Sequence, residues 1–168
     1  MSELPTNPTG RELSHVDPAG KLQMVDVSEK PFSSRTAVAS GTIRMQPETL
    51  KAILDNSLVK GDVIVVARIA GIQAAKRTAD LIPLCHPLPL SGIEVRVSVE
   101  EAVPGLRVEA VVRTTAQTGV EMEALTAVTV SLLTIYDMAK AIDRSMMISE
   151  IVLREKRGGT KGDFSNDL

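Results

Sequence analysis

Two stretches of the chain alternate apolar and polar residues with a period of two. In the first, Ile93, Val95, Val97 and Val99 are interleaved with Glu94, Arg96 and Ser98. In the second, Leu106, Val108, Ala110 and Val112 alternate with Arg107, Glu109, Val111 and Arg113. Successive side chains of a strand point to opposite faces, so this pattern predicts two half-buried strands, Ile93 to Val99 and Leu106 to Thr115. The Pro104-Gly105 turn joins them as a hairpin. Further strands are predicted at Gln23 to Val27, Arg35 to Met45 and Met147 to Arg154.

Elsewhere the period changes to that of a helix. Leu50, Ile53, Leu54 and Leu58 make one stripe behind Pro47 and Glu48, which suit a first helical turn; the helix is expected over Pro47 to Leu58. A second helix is predicted from Asp62 to Ala79 on the spacing of Val63, Val66, Ala67 and Ala70, although Val63-Ile64-Val65-Val66 also reads as a strand. The longest helix is expected from Val120 to Ile142. Its stripe is Leu125, Val128, Leu132, Ile135, Ala139 and Ile142, and its other side, with Thr126, Val130, Leu133, Thr134, Asp137 and Lys140, carries little charge. A helix of that kind is covered on both sides: by the sheet on one, by a partner subunit or a ligand pocket on the other. The expected architecture is α+β, a mostly antiparallel sheet with helices packed on one face. No linker divides the middle, so residues 13–157 read as one domain between flexible tails, 1–12 and 158–168.

Composition narrows the function classes. The chain has 168 residues, 43% of them hydrophobic and only 2% aromatic, with a mean hydropathy of +0.09. The core must therefore be aliphatic, and the stacking platforms of a single-strand nucleic-acid binder are missing. The net charge of -2 gives no global attraction to nucleic acid or membrane. Any anion must be held by a local cluster of bases. Cys85 is the single cysteine, which excludes an internal disulfide and suits a reducing compartment. Residues 1–11 lack the apolar region of a signal peptide, and no apolar run is long enough to span a bilayer. The expectation is a cytoplasmic protein.

Candidate chemistry falls in three places. Leu81 to Leu90 carries three prolines around Leu84, Cys85 and His86, a stiff extended loop suited to presenting an imidazole. It is equally an ordinary buried turn with an inert thiol. Neighbours in an extended segment point to opposite sides, so Cys85 and His86 make a poor nucleophile–base pair. With one Cys and two His in the chain, a zinc site is not expected. The helix start Thr118-Gly119-Val120-Glu121-Met122-Glu123 has two carboxylates, which would also simply complement the helix dipole. Asp137 and Lys140 stand three apart on one helix face; spacing alone makes them a surface ion pair. Arg35, Lys60, Lys76, Arg77, Lys140 and Lys156 are scattered, and any one of them is by default a solvated surface cation.

Several segments together resemble the cyclic pyranopterin monophosphate synthase family, also called molybdenum cofactor biosynthesis protein C. They are Leu13-Ser14-His15-Val16-Asp17, Met24-Val25-Asp26-Val27 with Lys30 and Arg35, Lys60-Gly61-Asp62-Val63, Leu81 to Leu88, Thr118 to Leu125, Leu133 to Ala141, and Lys156 with Gly158-Gly159. The chain departs from the family at Ser33-Ser34, where a Thr is usual before the arginine, and at Thr160-Lys161-Gly162, where Lys-Ser-Gly is usual. The resemblance implies a ferredoxin-like fold and a homohexamer built as a trimer of dimers. It implies a lyase that turns a cyclised dihydro-GTP into cyclic pyranopterin monophosphate and releases pyrophosphate. It assigns catalysis to Asp137, Lys60 and Lys140, and substrate contacts to Leu84, Cys85, His86, Glu121, Met122 and Glu123. Arg35, Lys76, Lys156 and His86 would hold the triphosphate. No cofactor is implied beyond a magnesium ion accompanying the triphosphate. A non-catalytic nucleotide sensor on the same fold is the alternative; it would keep the bases but not need Asp137 beside Lys140. Glu123 and Asp137 lie about 21 Å apart along one helix at 1.5 Å per residue, too far for one small pocket. If both touch one substrate, they come from two chains.

Overall fold

A computed structural model describes His15 and residues 20–100, 102–160 and 162–166. The predicted N-terminal tail, 1–12, lies outside the described residues, as does most of the segment 13–17.

Five antiparallel strands form one sheet in the order β2-β3-β1-β4-β5. They are β1 (Ser33–Arg44), β2 (Leu90–Val99), β3 (Gly105–Ala116), β4 (Met147–Arg157) and β5 (Phe164–Ser165). The helices are α1 (Pro47–Leu54), α2 (Val63–Ala75), α3 (Thr78–Leu81) and α4 (Glu121–Ala139). α4 lies across β1, β3 and β4, and α2 packs beside it and against β2. The result is a two-layer α+β fold of ferredoxin-like type.

The alternation in β3 settles which face is inside: Leu106, Val108, Ala110 and Val112 are fully buried. The hairpin closes where the Glu100 N–H donates to the Gly105 carbonyl, 3.0 Å away. Facing this sheet, α4 buries Ala124, Ala127, Val128, Leu132, Ile135 and Ala139. With its length and mean hydropathy of 1.2, α4 is long and apolar enough to cross a membrane. Its burial beneath α2 and against the sheet makes it a core helix instead. α2 approaches α4 closely at Gly71, where a Cβ would run into Ser131 Oγ and lie 2.9 Å from the Ala127 carbonyl. Ser131 Oγ uses that proximity to donate to the Ala67 carbonyl at 3.0 Å.

Several boundaries differ from expectation. Gln23 to Val27 forms no strand; Leu22 makes a single bridge, and the Gln23 N–H donates to the His15 carbonyl at 3.0 Å. α1 stops at Leu54 because Asn56 turns into the left-handed region at φ 50°, which halts helical propagation. The Val63–Val66 run is helical: Asp62 caps it, its Oδ1 accepting from the Val65 N–H at 2.9 Å. The helix expected to reach Ala79 is interrupted after Ala75. Thr78 Oγ1 folds back to donate to the carbonyls of Ala74 (3.4 Å) and Ala75 (3.1 Å) and opens the short α3. α4 ends at Ala139, not Ile142, and Ile142 is 55% exposed. Part of the segment read as a C-terminal tail runs as β5, paired with β4 at Lys156 and Glu155.

Candidate functional site

At the C-terminal end of α4 two lysines meet one carboxylate. Lys140 Nζ lies 2.6 Å from Asp137 Oδ1. Lys60 reaches in from the loop before α2, with Nζ 3.2 Å from Asp137 Oδ2 and 2.8 Å from the Asp137 carbonyl oxygen. Each carboxylate oxygen thus holds its own ammonium. Hydrogen bonds from Lys140 first and Lys60 second keep the Asp137 carboxyl below the usual carboxylate range. All three side chains are about half exposed (46–56%). Ion pairs this exposed contribute roughly 0–1 kcal/mol, so stability does not account for bringing Lys60 to a carboxylate 77 residues away that Lys140 already neutralises.

At the other end of α4 a cavity of about 350 Å³ opens, within the range of small-molecule sites. Its wall includes Leu84, Cys85 and His86 from the proline-rich loop, Glu121, Met122 and Glu123 from the first turn of α4, Arg35 from β1 and Lys156 from β4. Val25, Val27 and Lys30 also line it. Their segment is moored by Gln117, whose Nε2 donates to the carbonyls of Ser28 and Lys30, both at 2.9 Å. Inside that segment Asp26 Oδ1 accepts from Ser28 Oγ (2.6 Å) and N–H (2.9 Å), which holds the Asp26 carboxyl down.

The charges in this cavity are unequally matched. Lys156 Nζ pairs with Glu121 Oε1 at 3.1 Å. Arg35 is only 7% exposed, and among the described residues it has no carboxylate partner. Its Nη2 donates to the Gln117 carbonyl at 3.4 Å, and its Nε has no partner. Burying a cation without a counter-charge costs several kcal/mol, and an anion entering the cavity would offset that cost.

Glu123 is the converse case. It is 4% exposed, and burial, aided by the nearby Glu121 charge, pushes its carboxyl up to about 7. Burial and Glu123 also raise the Cys85 thiol, so the thiol form is favoured and Cys85 is poorly suited to nucleophilic attack. Because the folded-state value for Glu123 lies above the unfolded one, the folded protein binds the extra proton. No penalty exists below about pH 4, where both states are protonated; it grows as pH rises through about 7. At about 1.4 kcal/mol per tenfold change in proton affinity, ionisation costs up to about 3 kcal/mol. Thermal melts between about pH 5 and 8 should therefore show stability falling with pH, and Glu123→Gln should flatten that fall. An identical slope in the variant would contradict the assignment.

A sequence model of the MoaC family matches residues 24–159. The chain belongs to the MoaC family. Three similar curated relatives are each named cyclic pyranopterin monophosphate synthase. One from Parvibaculum lavamentivorans is 55% identical over 154 residues, covering 92% of this chain and 96% of the relative. One from Brucella ovis is 56% identical over 154 residues, with 92% and 93% coverage. One from Herpetosiphon aurantiacus is 54% identical over 156 residues, with 93% and 95% coverage.

On this MoaC-family scaffold the residues singled out in the sequence sort into two groups. Lys60, Asp137 and Lys140 come together, and so do Arg35, Leu84, Cys85, His86, Glu121, Met122, Glu123 and Lys156. The two groups sit at opposite ends of α4 and do not meet within one chain. Lys76 lies apart, in a neighbouring hollow of about 270 Å³ that shares His86 and Glu123 with the main cavity. Cys85 and His86 do not divide between two sides as a regular strand would place them; both line the main cavity. Lys30 and Gln117 were not proposed as site residues. Lys30 stands in one of the resembling segments, which was the available signal; nothing in the sequence marks Gln117, since its role is to hold a distant backbone.

Proposed function

We propose that the two clusters are halves of one active site, each half supplied by a different chain of a homo-oligomer. The protein is an enzyme of molybdenum cofactor biosynthesis, a cyclic pyranopterin monophosphate synthase acting as a lyase. Its substrate is a dihydroguanosine triphosphate whose ribose is already bonded to the purine carbon. Rearrangement opens the five-membered ring and builds the pyranopterin. A hydroxyl then attacks the α-phosphate to close the cyclic phosphate, and pyrophosphate leaves.

The observation that carries the site assignment is the convergence of Lys60 and Lys140 on the two oxygens of Asp137. Ring opening and reclosure require repeated proton transfers, for which positioned acids and bases contribute about a hundred- to ten-thousand-fold in rate. Asp137 orients both amines and can take up or return a proton at Oδ1 or Oδ2. In the cavity, Arg35, Lys156 and His86 would receive the triphosphate, with Lys76 reaching it from the adjoining hollow. Glu123 would accept from the N–H and amino groups of the guanine-derived ring, beside Met122, Leu84 and Cys85. A magnesium ion would enter on the triphosphate; among the described residues no three His, Cys, Asp or Glu side chains converge as ligands.

Two features support a second chain. Glu123 and Asp137 are separated by nearly the full length of α4, about 21 Å by helical rise. The outer sides of α2 and α4 also expose Val65, Val66, Ile69 and Leu133, each 38–57% accessible. A trimer of dimers operating in the cytoplasm accommodates both. Incubating the protein with the cyclised substrate should release pyrophosphate in a one-to-one ratio with substrate consumed. No release under any condition would favour a nucleotide sensor.

A further inference from the structure

The buried guanidinium of Arg35 lies against the Gln117 carbonyl and the backbone turn that follows β4. Immediately after β4 the chain turns through Gly158 and Gly159, both in the left-handed region at φ 86° and 92°. A Cβ built on Gly159 would overlap Arg35 Nη1 and stand 2.7 Å from Cζ. A side chain at position 159 and the guanidinium at position 35 therefore compete for one volume. The turn is tied down from beyond: the Gly158 N–H donates to Asp163 Oδ1 at 2.9 Å, and Phe164 pairs with Lys156 across the β4–β5 ladder. The same short loop thereby sets the position of two cavity cations, Arg35 by contact and Lys156 by the strand it ends.

We infer that Gly159 is a positioning residue for phosphate recognition: its bare backbone is the surface that aims the Arg35 guanidinium into the cavity, and Asp163 holds that surface in place. This rests on Arg35 being a ligand of the substrate's phosphates. Since within its own chain Gly159 meets Arg35 and none of Lys60, Asp137 and Lys140, its substitution is expected to act on binding and not on the chemical step. A backbone at φ 92° also strains any L-residue, but that strain is the same whether or not Arg35 is present, which allows the two effects to be separated.

The test is calorimetric titration of the full-length, assembled protein with inorganic pyrophosphate. Gly159→Ala should weaken binding by about tenfold or more, the scale of a lost charge-assisted hydrogen bond. On an Arg35→Ala background, where the competing group is gone, Gly159→Ala should cost nothing further. Asp163→Ala should weaken binding in the same direction, and Asp163→Asn, whose side-chain oxygen still accepts from Gly158, should restore it. In turnover, Gly159→Ala should raise KM and leave kcat within about twofold. Wild-type pyrophosphate affinity in Gly159→Ala, or an equal loss on both backgrounds, overturns the inference. Unchanged affinity in Arg35→Ala would instead overturn the assignment of Arg35 as a phosphate ligand. Should Gly159→Ala not fold, the Asp163 pair decides by the same readout: equal affinities in its two variants overturn the inference.

Discussion

Lys140→Ala and Lys60→Ala are each expected to lower kcat by about a hundred- to ten-thousand-fold, with thermal stability close to wild type. The two amines are held on one carboxylate in exposed ion pairs, whose removal costs roughly 0–1 kcal/mol. Loss of activity through unfolding is therefore not the expected route. Among the described residues Lys140 has the Asp137 carboxylate as its one partner, whereas Lys60 also donates to the Asp137 carbonyl. Lys140 is the freer amine to exchange a proton with substrate, and its loss should be the larger of the two. Pyrophosphate affinity should stay within about threefold of wild type in both variants, because the phosphates are assigned to Arg35, Lys156, His86 and Lys76 and both lysines are already neutralised by Asp137. Steady-state kinetics on the cyclised substrate, set beside thermal melts, provide the check. A kcat within about twofold of wild type in both variants would remove Lys60 and Lys140 from the catalytic machinery.

Local pattern made much of the fold legible. The β2–β3 hairpin shows its period in Ile93 to Val99 and Leu106 to Thr115, and α4 shows its stripe, because in both cases one face is buried and the pattern records it. Gln23 to Val27 misled because β-forming residues require a partner strand, and here a side chain, Gln117, takes up the neighbouring backbone carbonyls instead. The break after Ala75 was hidden in a single hydroxyl: Thr78 satisfies carbonyls that an unbroken helix would have bonded through its backbone. β5 is two residues long, too short for any periodicity to register.

The site divides along the same line. His86 and its proline-flanked loop, and the acids of the first turn of α4, are visible as local motifs. The partnership of Lys60 with Asp137 is not, because it joins positions far apart in the chain, and spacing alone made Asp137 and Lys140 an ordinary surface pair. Nor did sequence distinguish Arg35, buried without a carboxylate, from Lys76, which faces the adjoining hollow. That difference depends on burial, which is set by the packing of β1 under the Gly158–Gly159 turn.

The largest gain of activity is expected from mixing two inactive proteins. Asp137→Ala removes the carboxylate between the lysines; Glu123→Ala removes the buried acid of the cavity; each alone should be nearly inactive. If one site takes its lysine cluster from one chain and its cavity from another, a hybrid pair holds one doubly defective site and one intact site. Random reassembly then returns about a quarter of wild-type activity. Turnover of the cyclised substrate after the two variants are unfolded together and refolded is the direct measurement. Recovery to about that level, absent when either variant is refolded alone, is the predicted result. Hybrid assemblies, verified by mass, that stay as inactive as their parents would contradict the shared site.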